Sequence, residues 1–255
     1  MRFDIAIITV STNRLDDDCL KSVRNILDNT KLKTCFVLVD NCSTVFNAHE
    51  LAKKFLPEAI VIQRGKNFGF GSSCNRGARE IDADYYFFLN PDTRIDGASA
   101  LEILHAFMRA YPKTGIAAPK ILYMNGDLQD TCRRFPTWFT PIAQRTSLMN
   151  AKKTKAHGDR FLMHDFGHDK PRMVDWVQGS AFMISSELFK EIGGFDERYF
   201  MYYEDVDLCR NCWERGRPVY YLPEAIIHHV YGKESSIGDR TWDKVGETQK
   251  HARTF

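Results

Sequence analysis

The stretch Asp84-Tyr85-Tyr86-Phe87-Phe88-Leu89-Asn90-Pro91-Asp92 sets the architecture of the chain. Tyr85 to Leu89 is a run of bulky apolar residues without alternation, as in a short strand buried on both faces. Pro91 has no N–H to give to a ladder, so the strand ends there. Asp92 therefore stands just past the carboxyl end of a central strand, where open α/β sheets place their ligands. A carboxylate in that position suits a hard cation that also grips phosphate oxygens. A capped turn, its Asp bonded to its own backbone, explains the residue equally well.

Working towards the N-terminus, Ile5 to Val10 reads as a buried strand that ends in Ser11-Thr12-Asn13. Leu15, Cys19, Leu20, Val23, Ile26 and Leu27 recur at helical spacing. Cys35 to Val39 predicts a second strand, ending in Asp40-Asn41-Cys42-Ser43. A helix over about Phe46 to Phe55 and a strand over Ala59 to Gln63 follow. Strands alternating with helices imply right-handed crossovers and a parallel sheet. Ser11, Asp40 and Asp92 should then emerge at one sheet edge.

Between the third strand and the central one lies Asn67-Phe68-Gly69-Phe70-Gly71. A dinucleotide fingerprint would need a third glycine where Cys74 stands, and would follow the first strand. That excludes a dinucleotide-dependent dehydrogenase. The glycines instead let backbone approach a ligand, with a helix over Ser72 to Glu80 aiming its N-terminus at it.

Apolar content of 44% and charged content of 27% in 255 residues are ordinary for a globular protein. No run of eighteen apolar residues is present, and no signal-peptide pattern opens the chain. The odd count of 7 cysteines suits a reducing cytoplasm better than a disulfide framework. A net charge of +2 gives no ground for a nucleic-acid partner. Arg133 to Lys155 carries basic but no acidic residues, interleaved with Phe135, Trp138 and Phe139. It reads as a solvated loop or as peripheral contact with anionic lipid at the inner face of a membrane.

Beyond Asp92, a helix is expected over Gly97 to Ala110 and a strand over Gly115 to Lys120. Strand character returns from Val174 to Ile184, with Gly179 permitting close backbone approach. Glu204, Asp205 and Asp207 begin a helix whose buried face is Leu208, Cys209, Cys212 and Trp213. The helix dipole accounts for one acid there; an ionised carboxylate beside a sugar site is what a general base needs. Cys209 and Cys212 lie inside the helix without a second pair, so they are core residues rather than a zinc or redox motif. Pro218 to Leu222 and Ala225 to Val230 read as two short strands, the second carrying His228-His229. Neighbouring strand residues face opposite ways, so one of these histidines reaches a shared site.

Thr9-Val-Ser-Thr-Asn13, Val39-Asp-Asn-Cys-Ser43, Asn67-Phe-Gly-Phe-Gly71 with Asn75-Arg-Gly77, and Leu89-Asn-Pro-Asp92 together resemble the successive signatures of inverting glycosyltransferase family 2. Gly193-Gly-Phe-Asp-Glu197 and Tyr203-Glu-Asp-Val-Asp-Leu-Cys209 continue the resemblance, and Gln129 to Pro136 is similar to its rhamnosyltransferase branch. The likeness covers about residues 3 to 236. It implies an α/β GT-A fold: a mixed, mostly parallel central sheet flanked by helices, in one domain over 1–255. Residues 1–96 would bind the nucleotide, 97–236 would form the acceptor and catalytic half, and 237–255 would be a tail. That tail is shorter than many relatives have, so membrane-anchoring helices are expected to be missing.

The resemblance further implies a nucleotide-diphospho-sugar donor held by Thr9, Val10, Ser11, Asn13, Asp40, Asn41, Asn67, Gly69, Asn75, Asn90, Pro91, Asp92, Gln178 and Gly179. Trp176, Arg133, Arg134 and Asp196 would meet a saccharide or lipid-linked saccharide acceptor. Asp205 would be the catalytic base, with Glu204 shaping its pocket. Mg2+ or Mn2+ would bind Asp92 and, of the two histidines, His228. The family's metal motif keeps only its last Asp here, Asn90 replacing the other. The donor expected is dTDP-rhamnose, used in assembling a cell-surface polysaccharide. Two other readings remain: a nucleotidyltransferase that makes the sugar nucleotide, and a non-catalytic nucleotide- or carbohydrate-binding module. The first lacks the glycine-rich basic loop it needs after strand one, and the second has no use for the acids from Glu204 to Asp207.

Overall fold

Strand β1 (Phe3–Ser11) divides its side chains between two layers of core. Ile5 and Ile7 point to one layer, Ala6, Ile8 and Val10 to the other, as the two-residue period of a strand requires. The computed structural model describes residues 2–137, 140 and 152–230.

After β1 come α1 (Asp17–Asn29), β2 (Thr34–Asp40), α2 (Ala48–Phe55), β3 (Ile60–Gln63), α3 (Phe70–Arg79) and β4 (Ala83–Leu89). Strands β3, β2, β1 and β4 lie side by side and all pair in parallel. Helices α1 and α2 pack on the Ile5 and Ile7 side, α3 on the other. Helix α3 comes close: a Cβ on Gly77 would stand 2.8 Å from Ile8 Cγ2 and 3.0 Å from Val39 Cγ2. Only glycine admits that approach.

The next elements are β5 (Thr93–Arg94), α4 (Ser99–Ala110), β6 (Ile116–Leu122), β7 (Cys132–Arg133), α5 (Lys152–Phe161), β8 (Arg172–Val174) and β9 (Trp176–Val177). The described chain closes with β10 (Ala181–Ser185), α6 (Ser186–Ile192), α7 (Glu204–Glu214) and β11 (Val219–His229). Strand β10 enters the main sheet antiparallel to both β4 and β6, while β11 runs parallel to β6. The sheet is therefore mixed, with a parallel majority in its first half and helices on both faces. Its order is β3-β2-β1-β4-β10-β6-β11-β5, with β8 also on β11.

Two expectations change. The strand predicted over Val174 to Ile184 is three short pieces with different neighbours, β8, β9 and β10. The two strands predicted after Pro218 are one, β11, whose pairing with β6 slips between Leu222 and Ile226. Pro223 lies inside the slip, having no N–H to give to the ladder. The slip turns the strand over: Val219 and Tyr221 face the α3 layer, Ala225 and Ile227 the α4 layer. No helix among the described residues is long and apolar enough to cross a membrane.

Candidate functional site

The ends of β1 and β2 meet in register, Ser11 against Asp40. Their turns are cross-linked: Asn13, at a left-handed φ of 57°, donates its N–H to Ser43 Oγ at 3.0 Å and accepts from Thr44 N at 2.6 Å. Asp40 accepts the Ser43 N–H at 2.9 Å. Asn41 and Asn67 are joined at 2.6 Å, and their amide oxygens accept the Phe68 and Gly69 N–H groups. These asparagines brace the 67–69 loop against the β2 turn. Gly69 itself has φ +85°, and a Cβ there would overlap the Phe200 carbonyl oxygen.

Several predicted donor contacts are spent inside the fold. Thr9 is fully buried within β1, as is Ser11, whose hydroxyl donates to the Arg14 carbonyl at 2.8 Å. Asn75 is buried as well; its amide bonds Phe195 O at 2.8 Å, Glu197 at 3.0 Å and Phe195 N at 2.8 Å. It brackets the 194–197 loop and presents nothing to a ligand, because every donor and acceptor it has is used.

Asp92 sits in a turn closed by the Thr93 hydroxyl on the Asn90 carbonyl at 2.7 Å. Its Oδ1 lies 3.0 Å from His229 Nε2 and its Oδ2 3.1 Å from Arg14 Nη1. The histidine at Asp92 is thus His229, not His228 as expected. His228 turns to the opposite face, its Nδ1 3.5 Å from Asp96. The slip in β11 sets which of the pair points inward.

Gln129, absent from the predicted set, fixes the His229 ring. Its amide N–H2 donates to the His229 carbonyl at 2.8 Å, which turns its oxygen to His229 Nδ1 at 3.1 Å. Nδ1 must therefore carry the proton, leaving the Nε2 lone pair aimed at Asp92. Two acceptor atoms 3.0 Å apart require a positive charge between them, a proton or a metal ion. One carboxylate and one imidazole with a hydrogen-bonded second partner form a donor set that fits a divalent cation. No group of three protein ligands exists among the described residues, so oxygens of a bound ligand would complete the shell. A cavity of about 380 Å³ opens against Asp92 between Leu15, Thr93 and Met124, rimmed by Asp16, Asp17 and Asp18. Those acids repel an anion brought to the cavity.

Helix α7 begins after two successive left-handed residues, Tyr202 (φ 68°) and Tyr203 (φ 72°). Such conformations cost energy in non-glycine residues and persist where the surroundings over-determine them. They deliver Asp205 beside Gly179 and Glu204 beside Gly71. Asp205 Oδ2 accepts the Gly179 N–H at 3.0 Å, and Oδ1 accepts the Val206 N–H at 2.8 Å. Burial pushes the Asp205 pKa up, against these bonds and the Arg133 charge, which hold it down. Glu204 is buried, and its Oε2 has no hydrogen-bond partner among the described residues. Burial first, and then Asp205, push its pKa up to about 8, so Glu204 holds its proton at neutral pH.

This has a measurable consequence. The folded state keeps the Glu204 proton up to about pH 8, whereas its ordinary value is 4.5. Its contribution to stability is full below the lower value and is lost as pH rises through the upper one. Glu204→Gln removes that loss. Its Tm minus that of the parent should rise by about 5 °C or more between pH ~5 and pH ~8 in calorimetry. A gap that stays flat with pH would show that Glu204 is ionised in the fold.

Near Asp205, Arg133 lies over the rings of Trp176 at 5.1 Å and Phe161 at 5.8 Å. Trp176 is buried and donates its indole N–H to the Arg134 carbonyl at 2.8 Å. Gln178 is tied by its N–H to Thr131 O at 2.8 Å. Of the other predicted acceptor contacts, the Arg134 side chain pairs with Asp165 at 3.0 Å, and Asp196 is clamped by Arg198. Of the basic segment, Trp138, Phe139 and 141–151 lie outside the described residues, as does the tail 237–255.

Residues 6–167, more than half of the chain, match the model of glycosyl transferase family 2. The N-acetylglucosaminyl-diphospho-decaprenol L-rhamnosyltransferase of Mycobacterium tuberculosis is 28% identical over 220 residues, covering 78% of this chain and 68% of the relative. Rhamnosyltransferase WbbL of Escherichia coli is 29% identical over 186 residues, covering 68% and 65%. The crystal structure of GalNAc-T7 with UDP, GalNAc and Mn2+ superposes with a TM-score of 0.70 at 18% identity. That similarity covers 93% of this chain but 45% of the larger protein, and it bears on the fold alone.

Proposed function

The chain belongs to glycosyl transferase family 2, and on that premise we propose that it is an inverting transferase. It moves a sugar from a nucleotide-diphospho-sugar to a saccharide acceptor. One observation carries the proposal: a short run of backbone joins the base to the metal-ligand turn. Gly179 donates to Asp205, and the next residue, Ser180, accepts the Asn90 N–H at 2.9 Å, two residues before Asp92. A proton acceptor and a cation-holding pair thus share one end of the sheet.

In the proposed reaction the acceptor hydroxyl gives its proton to Asp205 as its oxygen attacks the anomeric carbon. The bond from that carbon to the diphosphate oxygen breaks, the nucleoside diphosphate departs, and the configuration inverts. The raised pKa makes Asp205 a stronger base than a solvated aspartate. Neutral Glu204 adds no second charge to oppose it. Mg2+ or Mn2+ on Asp92 and His229 would offset the charge of the leaving diphosphate. Asp40, at the end of β2, would meet the nucleoside. Donor dTDP-rhamnose and a lipid-linked saccharide acceptor are the finer reading, supported by the two rhamnosyltransferases among the relatives. All seven cysteines are free thiols, which supports a cytoplasmic site of action.

A thermal-shift panel of nucleotide sugars with and without Mn2+ tests this. Stabilisation by dTDP-rhamnose should exceed that by UDP- and GDP-sugars and should need the metal. A larger shift with another donor overturns the rhamnose assignment. No shift with any donor overturns the transferase reading, and a product that keeps the donor's anomeric configuration overturns the inverting mechanism.

A further inference from the structure

The Arg14 guanidinium lies on the metal-ligand carboxylate. Nη1 is 3.1 Å from Asp92 Oδ2, while Asp92 Oδ1 faces His229. The remaining contacts of Arg14 are long: Nη2 is 3.4 Å from Asp16 Oδ2 and 3.4 Å from the Val230 carbonyl. Its backbone is fixed, with the Ser11 hydroxyl on its carbonyl and the pinned Asn13 just before it. Its side chain is half-buried at 32% exposure, against 13% for Asp92. A firmly held backbone carrying a side chain held mainly by one ion pair is a cation that can change partners.

The chemistry of the site asks for such a change. A guanidinium is always charged, and a divalent cation taking Asp92 would meet that charge at close range. The two compete for one carboxylate, so Arg14 has to leave when the metal arrives. Whatever anion the metal holds at Asp92 then lies within reach of the displaced side chain. A guanidinium matches phosphate oxygens with two parallel N–H bonds. Arg14 stands at the rim of the cavity that opens against Asp92, beside Asp16 and Val230, and its charge offsets the repulsion that Asp16, Asp17 and Asp18 would exert on a diphosphate brought to Asp92.

We propose that Arg14 is an exchangeable cation of the donor site: it covers Asp92 while no donor is bound and moves onto the donor's diphosphate when a metal takes its place. The proposal rests on the reading of Asp92 and His229 as the metal pair. It explains how the carboxylate stays neutralised in the empty site, and it makes Arg14 a diphosphate-binding residue in the filled one.

The signature is a pair of effects with opposite signs, which a purely structural arginine would not give. In Arg14→Gln, Mn2+ alone, followed by electron paramagnetic resonance, should bind several-fold more tightly, because its competitor is gone. Inorganic pyrophosphate titrated by calorimetry at saturating Mn2+ should bind about tenfold more weakly, the usual worth of a charge-assisted bond. Arg14→Lys should lie between parent and Arg14→Gln in both titrations, and it serves if Arg14→Gln does not fold. Mn2+ affinity unchanged or weakened, pyrophosphate affinity unchanged, or no binding of Mn2+-pyrophosphate by the parent would each overturn the proposal. Pyrophosphate carries no sugar or nucleoside, so the exchange can hold even if no sugar transfer is found; a sugar-transfer assay separates the two.

Discussion

Asp205→Asn should transfer sugar about 10²–10⁴ times more slowly than the parent, the usual worth of a general base, while binding the donor almost as well. Asparagine has the shape of aspartate but no free carboxylate to take the acceptor proton. Donor affinity survives because the side chain faces Gly179 and the acceptor side rather than the turns around Asp40. The variant should not be less stable in proportion, because the substitution also removes a charge that burial disfavours. Asp207→Asn is the control: that carboxylate bonds Asn211 at 3.1 Å on the helix surface and should cost little. In the parent, the rate should fall on acidification as Asp205 takes up a proton, and the raised pKa places that fall at higher pH than for an ordinary aspartate. Steady-state kinetics across pH, with donor affinity from calorimetry, checks each part. Normal transfer by Asp205→Asn with a dead Asp207→Asn would move the base two residues along; three active acid variants would remove it.

Much of this site could be read from periodicity, and the rest could not, for identifiable reasons. Apolar runs at 5–10, interrupted only by Thr9, and at 35–39 and 85–89 fix parallel strands, and parallel strands carry Ser11, Asp40 and Asp92 to one end. Which of the two histidines faces Asp92 depends on strand parity, and a slip around Pro223 resets parity. One signal was present: exposed Glu224 and Ile226 share a face with His228, leaving Ala225, Ile227 and His229 inside. Counting back from Glu224, which has to reach water, selects His229. Nothing local marks Gln129 or Arg14. The first reaches His229 across 100 residues of chain, the second Asp92 across 78, and only the assembled sheet brings them together. Asn75 misled in the opposite sense. Its place after a glycine-rich loop suggests a ligand contact, but its buried amide is bonded at both ends to the 194–197 loop.

Asp92→Ala should lose metal-dependent nucleotide binding by about a hundredfold or more while remaining folded. It is the carboxylate of the pair, and second-partner substitutions alone cost about 10–100-fold in metal affinity. The fold should tolerate the change because the turn is held by backbone and by Thr93: the Val230 N–H still reaches the carbonyl of residue 92 at 2.9 Å, and the Thr93 hydroxyl still reaches Asn90. Arg14, left without its main partner, is exposed enough to be solvated. His229→Ala should follow Asp92→Ala closely, whereas His228→Ala, which faces Asp96, should bind as the parent does. Calorimetry with dTDP, with and without Mn2+, separates these cases. Unchanged metal-dependent affinity in Asp92→Ala would remove this residue as a ligand, and a larger loss in His228→Ala than in His229→Ala would contradict the register of β11. Asp92 and Arg14 also constrain each other. With Asp92 gone, Arg14 has no carboxylate to return to, so a weak, metal-independent affinity for the diphosphate should remain in Asp92→Ala and vanish in the double variant with Arg14→Gln.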